Sequence, residues 1–138
     1  MKREAKYPDT STFHYHNANP KKRLTTDCVV RAISTATNLP YNQVVMDLAL
    51  VQIETGYDGD CNQGIDTLLK RYGWVKHKQP RKEDNTKYTG VEFCQRARTY
   101  ENYIANIGGH HIVAIVGGKV WDTWNSTGGC VGNYWTKG

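Results

Sequence analysis

The spacing of apolar residues changes character about two thirds of the way along the chain. In CVVRAISTAT, Val29, Ala32, Ile33 and Ala36 recur at helical spacing. Thr25, Thr26 and Asp27 offer side chains that cap a first turn, so a helix is predicted to start at or next to Cys28. Asn38 and Pro40 stop it. Tyr41, Val44, Val45 and Leu48 then mark a second amphipathic helix running toward Glu54, ended by Gly56 and the turn-rich YDGDCNQG. Ile65, Leu68, Leu69 and Tyr72 outline a third, closed by Gly73. The basic segment from Lys76 to Lys87 reads as a surface excursion, and Val91 to Arg98 as a short fourth helix with no cap before it.

Beyond this point the pattern alternates: TYENYIANI, HHIVAIV, KVWDTWN and CVGNYW are separated by glycine pairs at 108–109, 117–118 and 128–129. These segments predict antiparallel strands. Near the start, Phe13-His14-Tyr15-His16 alternates in the same way within an otherwise polar, basic stretch, whose first dozen residues read as a flexible arm. Helices followed by a sheet give an α+β fold, and 138 residues suit one domain over 1–138.

Charge and cysteine content narrow the setting. No apolar run approaches the roughly 20 residues that span a bilayer, and the opening MKREAKYPDTST has no signal-like hydrophobic stretch. A cytoplasmic protein without membrane contact is expected. Cys28, Cys61, Cys94 and Cys130 are then free thiols. The net charge of +5 gathers in Lys2, Arg3, Lys6, Lys21, Lys22 and Arg23, and again from Lys70 to Lys87. Such segments solubilise a surface, or meet an acidic partner or nucleic acid.

Among the four cysteines, Cys28 alone has a reactive setting. At the first turn of a helix, unpaired N–H groups and the positive dipole end favour a thiolate. Cys61 lies in a polar turn, Cys94 in the short helix and Cys130 at a strand start, so these read as packing or inert thiols. No C-x-x-C or H-x-x-x-H spacing supports a metal, and none is expected.

A thiolate needs a base, and strand geometry selects it. His110 and His111 face opposite ways. If Gly117-Gly118 makes a two-residue turn, Val113 opposes Asp122 and His111 opposes Trp124, so that His111 and Asp122 lie diagonally on one face. A three-residue loop would bring Asp122 to the face of His110. Gly-Gly favours the shorter form, which makes Cys28, His111 and Asp122 a nucleophile, base and orienting carboxylate. Asn125 is an alternative orienting group, weaker because an amide stabilises imidazolium less than a carboxylate does.

DCVVRAISTATNLPYNQVV and HHIVAIVGGKVWDTWN resemble the two signature blocks of small papain-like cysteine peptidases of bacteriophage and bacterial origin. In that group the first block opens with Asp-Cys at a helix start, and the second reads histidine, hydrophobic strand, glycine turn and Asp-Thr-Trp. The similarity covers most of residues 12 to 136 and is weakest from Lys76 to Lys87. It implies a papain-like fold, with a cysteine-bearing helix packed on an antiparallel sheet that carries histidine and aspartate. The oxyanion hole would combine the Cys28 backbone N–H with an upstream side-chain donor. Papain-type enzymes use glutamine there, but the first glutamine here is Gln43, which leaves Asn17 or Asn19.

The expected function is hydrolysis of a peptide or isopeptide bond in a protein substrate through an acyl-enzyme, without a cofactor. Deamidation and acyl transfer use the same triad. From another class comes a non-catalytic binding protein on the same scaffold, engaging a host protein or nucleic acid through its basic segments, a reading that Trp121, Trp124 and Trp135 also motivate.

Overall fold

The computed structural model describes residues 2–138; Met1 lies outside the described residues. The elements are α1 (Arg3–Lys6), β1 (Phe13–Tyr15), α2 (Cys28–Thr37), α3 (Tyr41–Thr55), α4 (Asn62–Arg71), β2 (Trp74–His77), α5 (Gly90–Arg96), β3 (Tyr103–Ile107), β4 (His111–Val116), β5 (Lys119–Asp122) and β6 (Val131–Lys137). The fold is α+β, with a six-stranded sheet in the order β1-β5-β4-β3-β6-β2.

Alternation along the strands builds two apolar layers. On one face Ile104, Ile112, Ala114 and Trp135 meet Val29, Ala32, Ile33 and Ala36 of α2, with α3 and α4 completing the cover through Val44, Leu48, Ile65 and Leu69. On the other face Val113, Ile115, Val120 and Phe13 pack with Phe93 and Cys94 of α5. Burying both faces fixes register, because a one-residue slip would exchange every side chain between layers.

The β4–β5 turn has the two-residue form. Gly117 and Gly118 take φ of 61° and 75°, the paired positive values of a turn that matches strand twist. Val116 therefore opposes Lys119, and Ala114 opposes Trp121, the register that brings His111 and Asp122 together.

Several expectations need correction. The sheet is mixed, since β1 runs parallel to β5, pairing Phe13 with Val120 and Tyr15 with Asp122. Alternation alone carries no strand direction. The basic stretch is partly ordered sheet: Trp74–His77 pairs antiparallel with β6, anchored by buried Trp74, while Lys76 on the same face stays half exposed and pairs with Asp66 of α4. Within residues 2–12, Arg3 Nε donates to the Thr123 carbonyl at 2.6 Å and Asp9 accepts from the Tyr15 N–H. The short helix α5 does have a cap, a reciprocal pair between Thr89 and Glu92. No helix among the described residues is long and apolar enough to cross a membrane.

Candidate active site

Helix α2 starts at Cys28 and lies against β4, whose first residue is His111. The nucleophile candidate and the base candidate thus sit at corresponding ends of two packed elements. His111 Nε2 and Asp122 Oδ2 are 2.5 Å apart, which leaves Nδ1 as the ring nitrogen available to the Cys28 thiol. Trp124 lies over the imidazole with ring centroids 4.8 Å apart.

The electrostatics favour an ion pair. Burial opposes the Cys28 anion, but hydrogen bonds from His111 and the Ile112 backbone, with the positive charges of His111 and Arg31, lower the thiol below its ordinary value. Burial likewise opposes the imidazolium, yet Asp122 and Cys28 raise His111 to about 9. Cys94 behaves in the opposite way, pushed up to about 11 by burial. Cys61 has a structural task, its sulfur accepting from Gly64 N–H at the start of α4. All four cysteines are unpaired.

One member of the site was missed in the sequence. Arg31 is buried, one helical turn beyond Cys28, and its Nη1 donates to Asp122 Oδ1 at 2.6 Å while Nε donates to Asp27 Oδ1 at 2.8 Å. Asp122 also accepts from the Thr123 N–H. Despite burial, His111 and Arg31 hold the Asp122 carboxyl below the usual carboxylate range. The available signal was the four-residue spacing of Asp27 and Arg31, which places opposite charges on one helix face.

Asp27 departs from its expected role. It precedes α2, but its side chain makes no capping bond; it accepts instead from Arg31, from the Tyr41 hydroxyl at 2.6 Å and from Asn19 Nδ2 at 3.1 Å. The Arg31 guanidinium out-competes neutral backbone N–H groups for a carboxylate.

The oxyanion candidates are used otherwise. Asn17 donates to the Arg23 carbonyl and accepts from the Asn19 N–H, while Asn19 donates to Asp27 and accepts from the Lys21 N–H. Both side chains hold the 17–23 loop in place beside Asp27. Asn125 turns its oxygen to the N–H and hydroxyl of Thr127, leaving Asp122 as the group bonded to His111.

Comparison with family models, curated proteins and solved structures finds no match to this chain.

Two clefts flank the histidines. Cys28 opens into one of about 330 Å³, where Thr26, Asp60, Asn62 and Asn106 supply the polar lining. His111 and Trp124 border another of about 510 Å³ whose floor includes Gly128 and Gly129. His110, exposed at the β3–β4 turn, lines both. No group of three or more His, Cys, Asp or Glu side chains among the described residues is arranged to hold a metal ion.

Proposed function

We propose that this chain is a thiol-dependent acyl hydrolase of papain-like architecture, in its simplest form a cysteine peptidase acting on peptide or isopeptide bonds. The observation that carries the reading is Cys28 at a helix start, its thiol lowered by the imidazole of His111, whose far nitrogen is bound to Asp122. A cysteine-bearing helix laid across the histidine-bearing strand supports the papain-like assignment.

The Cys28 thiolate attacks the carbonyl carbon, forming a C–S bond and an oxyanion. The backbone N–H groups at the start of α2 stabilise that oxyanion, and Thr26, Asn62 and Asn106 are neutral side-chain donors sharing the cleft. His111 Nδ1–H protonates the departing amine as the C–N bond breaks, leaving a thioester. A water then gives its proton to His111 and attacks the thioester, and the acid leaves as the thiolate reforms. Asp122 holds the tautomer with Nε2–H and stabilises the imidazolium throughout. Deamidation and acyl transfer follow the same steps with ammonia leaving or an amine attacking.

Four unpaired cysteines fit a reducing cytoplasm, that of the infected host if a phage encodes the chain. A second reading, a binding protein for an acidic partner or nucleic acid, draws on the exposed Lys21, Lys22 and Arg23 just before Cys28. It predicts binding that weakens with salt and survives Cys28→Ala.

Labelling tests the first reading. Iodoacetamide and acyl electrophiles should modify Cys28 at pH 7 well before Cys61, Cys94 or Cys130. The raised His111 value sets the pH dependence: turnover rises with formation of the thiolate and falls as the imidazolium is lost near pH 9. Alkylation, which needs only the thiolate, should not fall there. Equal labelling of all four thiols, or a Cys28 rate that develops only around pH 8.5, defeats the proposal.

A further inference from the structure

Helix α3 is apolar on both sides. Val44, Leu48 and Val51 bury its inner face, as an amphipathic helix requires. The outer face should then be polar, but Met46 is 70% exposed, Leu50 49%, Ile53 80% and Val45 42%, and Tyr57 just beyond the helix is 47% exposed. Residues 46, 50 and 53 follow helical spacing, so these side chains form one continuous stripe, with Tyr57 lying past the left-handed Gly56 that ends the helix. Flanked by the polar Asn42, Gln43, Gln52 and Glu54, an exposed apolar stripe of this kind marks an interaction surface.

We infer that this stripe is the contact surface of a homodimer, in which α3 packs antiparallel against α3 of a second copy about a two-fold axis near Leu50. Three features select a second copy as the occupant. The stripe is nearly symmetric about its middle, so antiparallel pairing sets Leu50 near its mate and Met46 near Ile53, as a self-complementary contact demands.

The stripe also carries no charge. The two acidic residues of α3 are engaged elsewhere, Asp47 with the Tyr72 hydroxyl and Glu54 with Arg71. Two copies with a net charge of +5 can meet here without burying or opposing like charges, because the basic clusters lie on other elements. An acidic partner would gain nothing from this uncharged surface.

The area suffices. With fully accessible side chains of this kind offering on the order of 150–200 Å² each, the five exposures amount to roughly 500 Å² per copy, and a pair to roughly 1,000 Å², the lower bound for a specific interface. The predicted dimer is therefore of modest affinity. It leaves the Cys28 cleft open, since none of the cleft's lining residues comes from α3.

Sedimentation velocity on the full chain from about 1 to 300 μM, a range spanning typical affinities for small interfaces, decides the matter. A concentration-dependent shift to twice the monomer mass is expected, and Leu50→Glu with Ile53→Glu should abolish it while leaving the far-ultraviolet circular dichroism unchanged. Both positions are solvent-facing, so the fold tolerates the change. A wild-type chain that stays monomeric throughout overturns the proposal, leaving the stripe to a different partner. A dimer that survives both substitutions overturns it as well, by placing the contact elsewhere.

Discussion

Arg31 shares Asp122 with His111 and holds Asp27 with its other edge, so one buried guanidinium ties the residue before the nucleophile to the carboxylate behind the base. Breaking a buried ion pair by removing one partner leaves uncompensated charge and costs about 3–5 kcal/mol. Arg31→Met keeps the aliphatic bulk and should lower the melting temperature by roughly 10 °C or more, read by circular dichroism. Lysine should rescue only part, since an ammonium cannot present two edges. The placement of Cys28 at a helix start and of His111 beside Asp122 was legible because each rests on a local rule: a helix start, a strand end, a glycine turn. Arg31 was not. A charged residue on an apolar helix stripe reads as an outward-facing interruption until the carboxylate that neutralises it, ninety-one positions away, is known to face it.

The elements explain where periodicity succeeds and where it fails. Helices α2, α3 and α4 and strands β3 to β6 were evident because each buries a regular face. Strand β2 escaped because as an edge strand it has one buried anchor, Trp74, among polar neighbours, and the parallel direction of β1 leaves no mark on a three-residue alternation. The outer face of α3 escaped because exposure cannot be read from apolar spacing alone. Helix α4 offers a sign test. Replacing glycine by alanine inside a helix normally stabilises by about 1 kcal/mol. At Gly64, however, a Cβ would sit 2.1 Å from the Asp58 carbonyl oxygen, so Gly64→Ala should instead destabilise by about 1–3 kcal/mol, measured from the urea midpoint. Because the 57–60 loop carries Asp60 into the Cys28 cleft, the same change should also slow labelling of Cys28 by acyl electrophiles.

For the molecule as a whole, the thiols report on two different kinds of order. Cys94 is protected by the apolar layer between α5 and the sheet, where burial keeps it protonated. Cys28 is only partly buried, and its thiol is lowered by groups that α2, β4 and β5 hold together. In urea below the main transition, at pH 7, iodoacetamide should therefore react faster with Cys94 and slower with Cys28, because a loosened site returns Cys28 toward an ordinary thiol with only a few per cent thiolate. Mass spectrometry of the two peptides reads both rates in one sample. Parallel acceleration of both thiols would mean that Cys28 owes its reactivity to access alone.

Asp27 and Cys28 are neighbours in sequence, so the path from Cys28 through His111, Asp122, Arg31 and Asp27 returns to its origin across one peptide bond. A loop of this kind has no free end at which to fray. Its members are kept or lost together, and chemistry at the sulfur should switch off abruptly rather than fade as the protein is stressed.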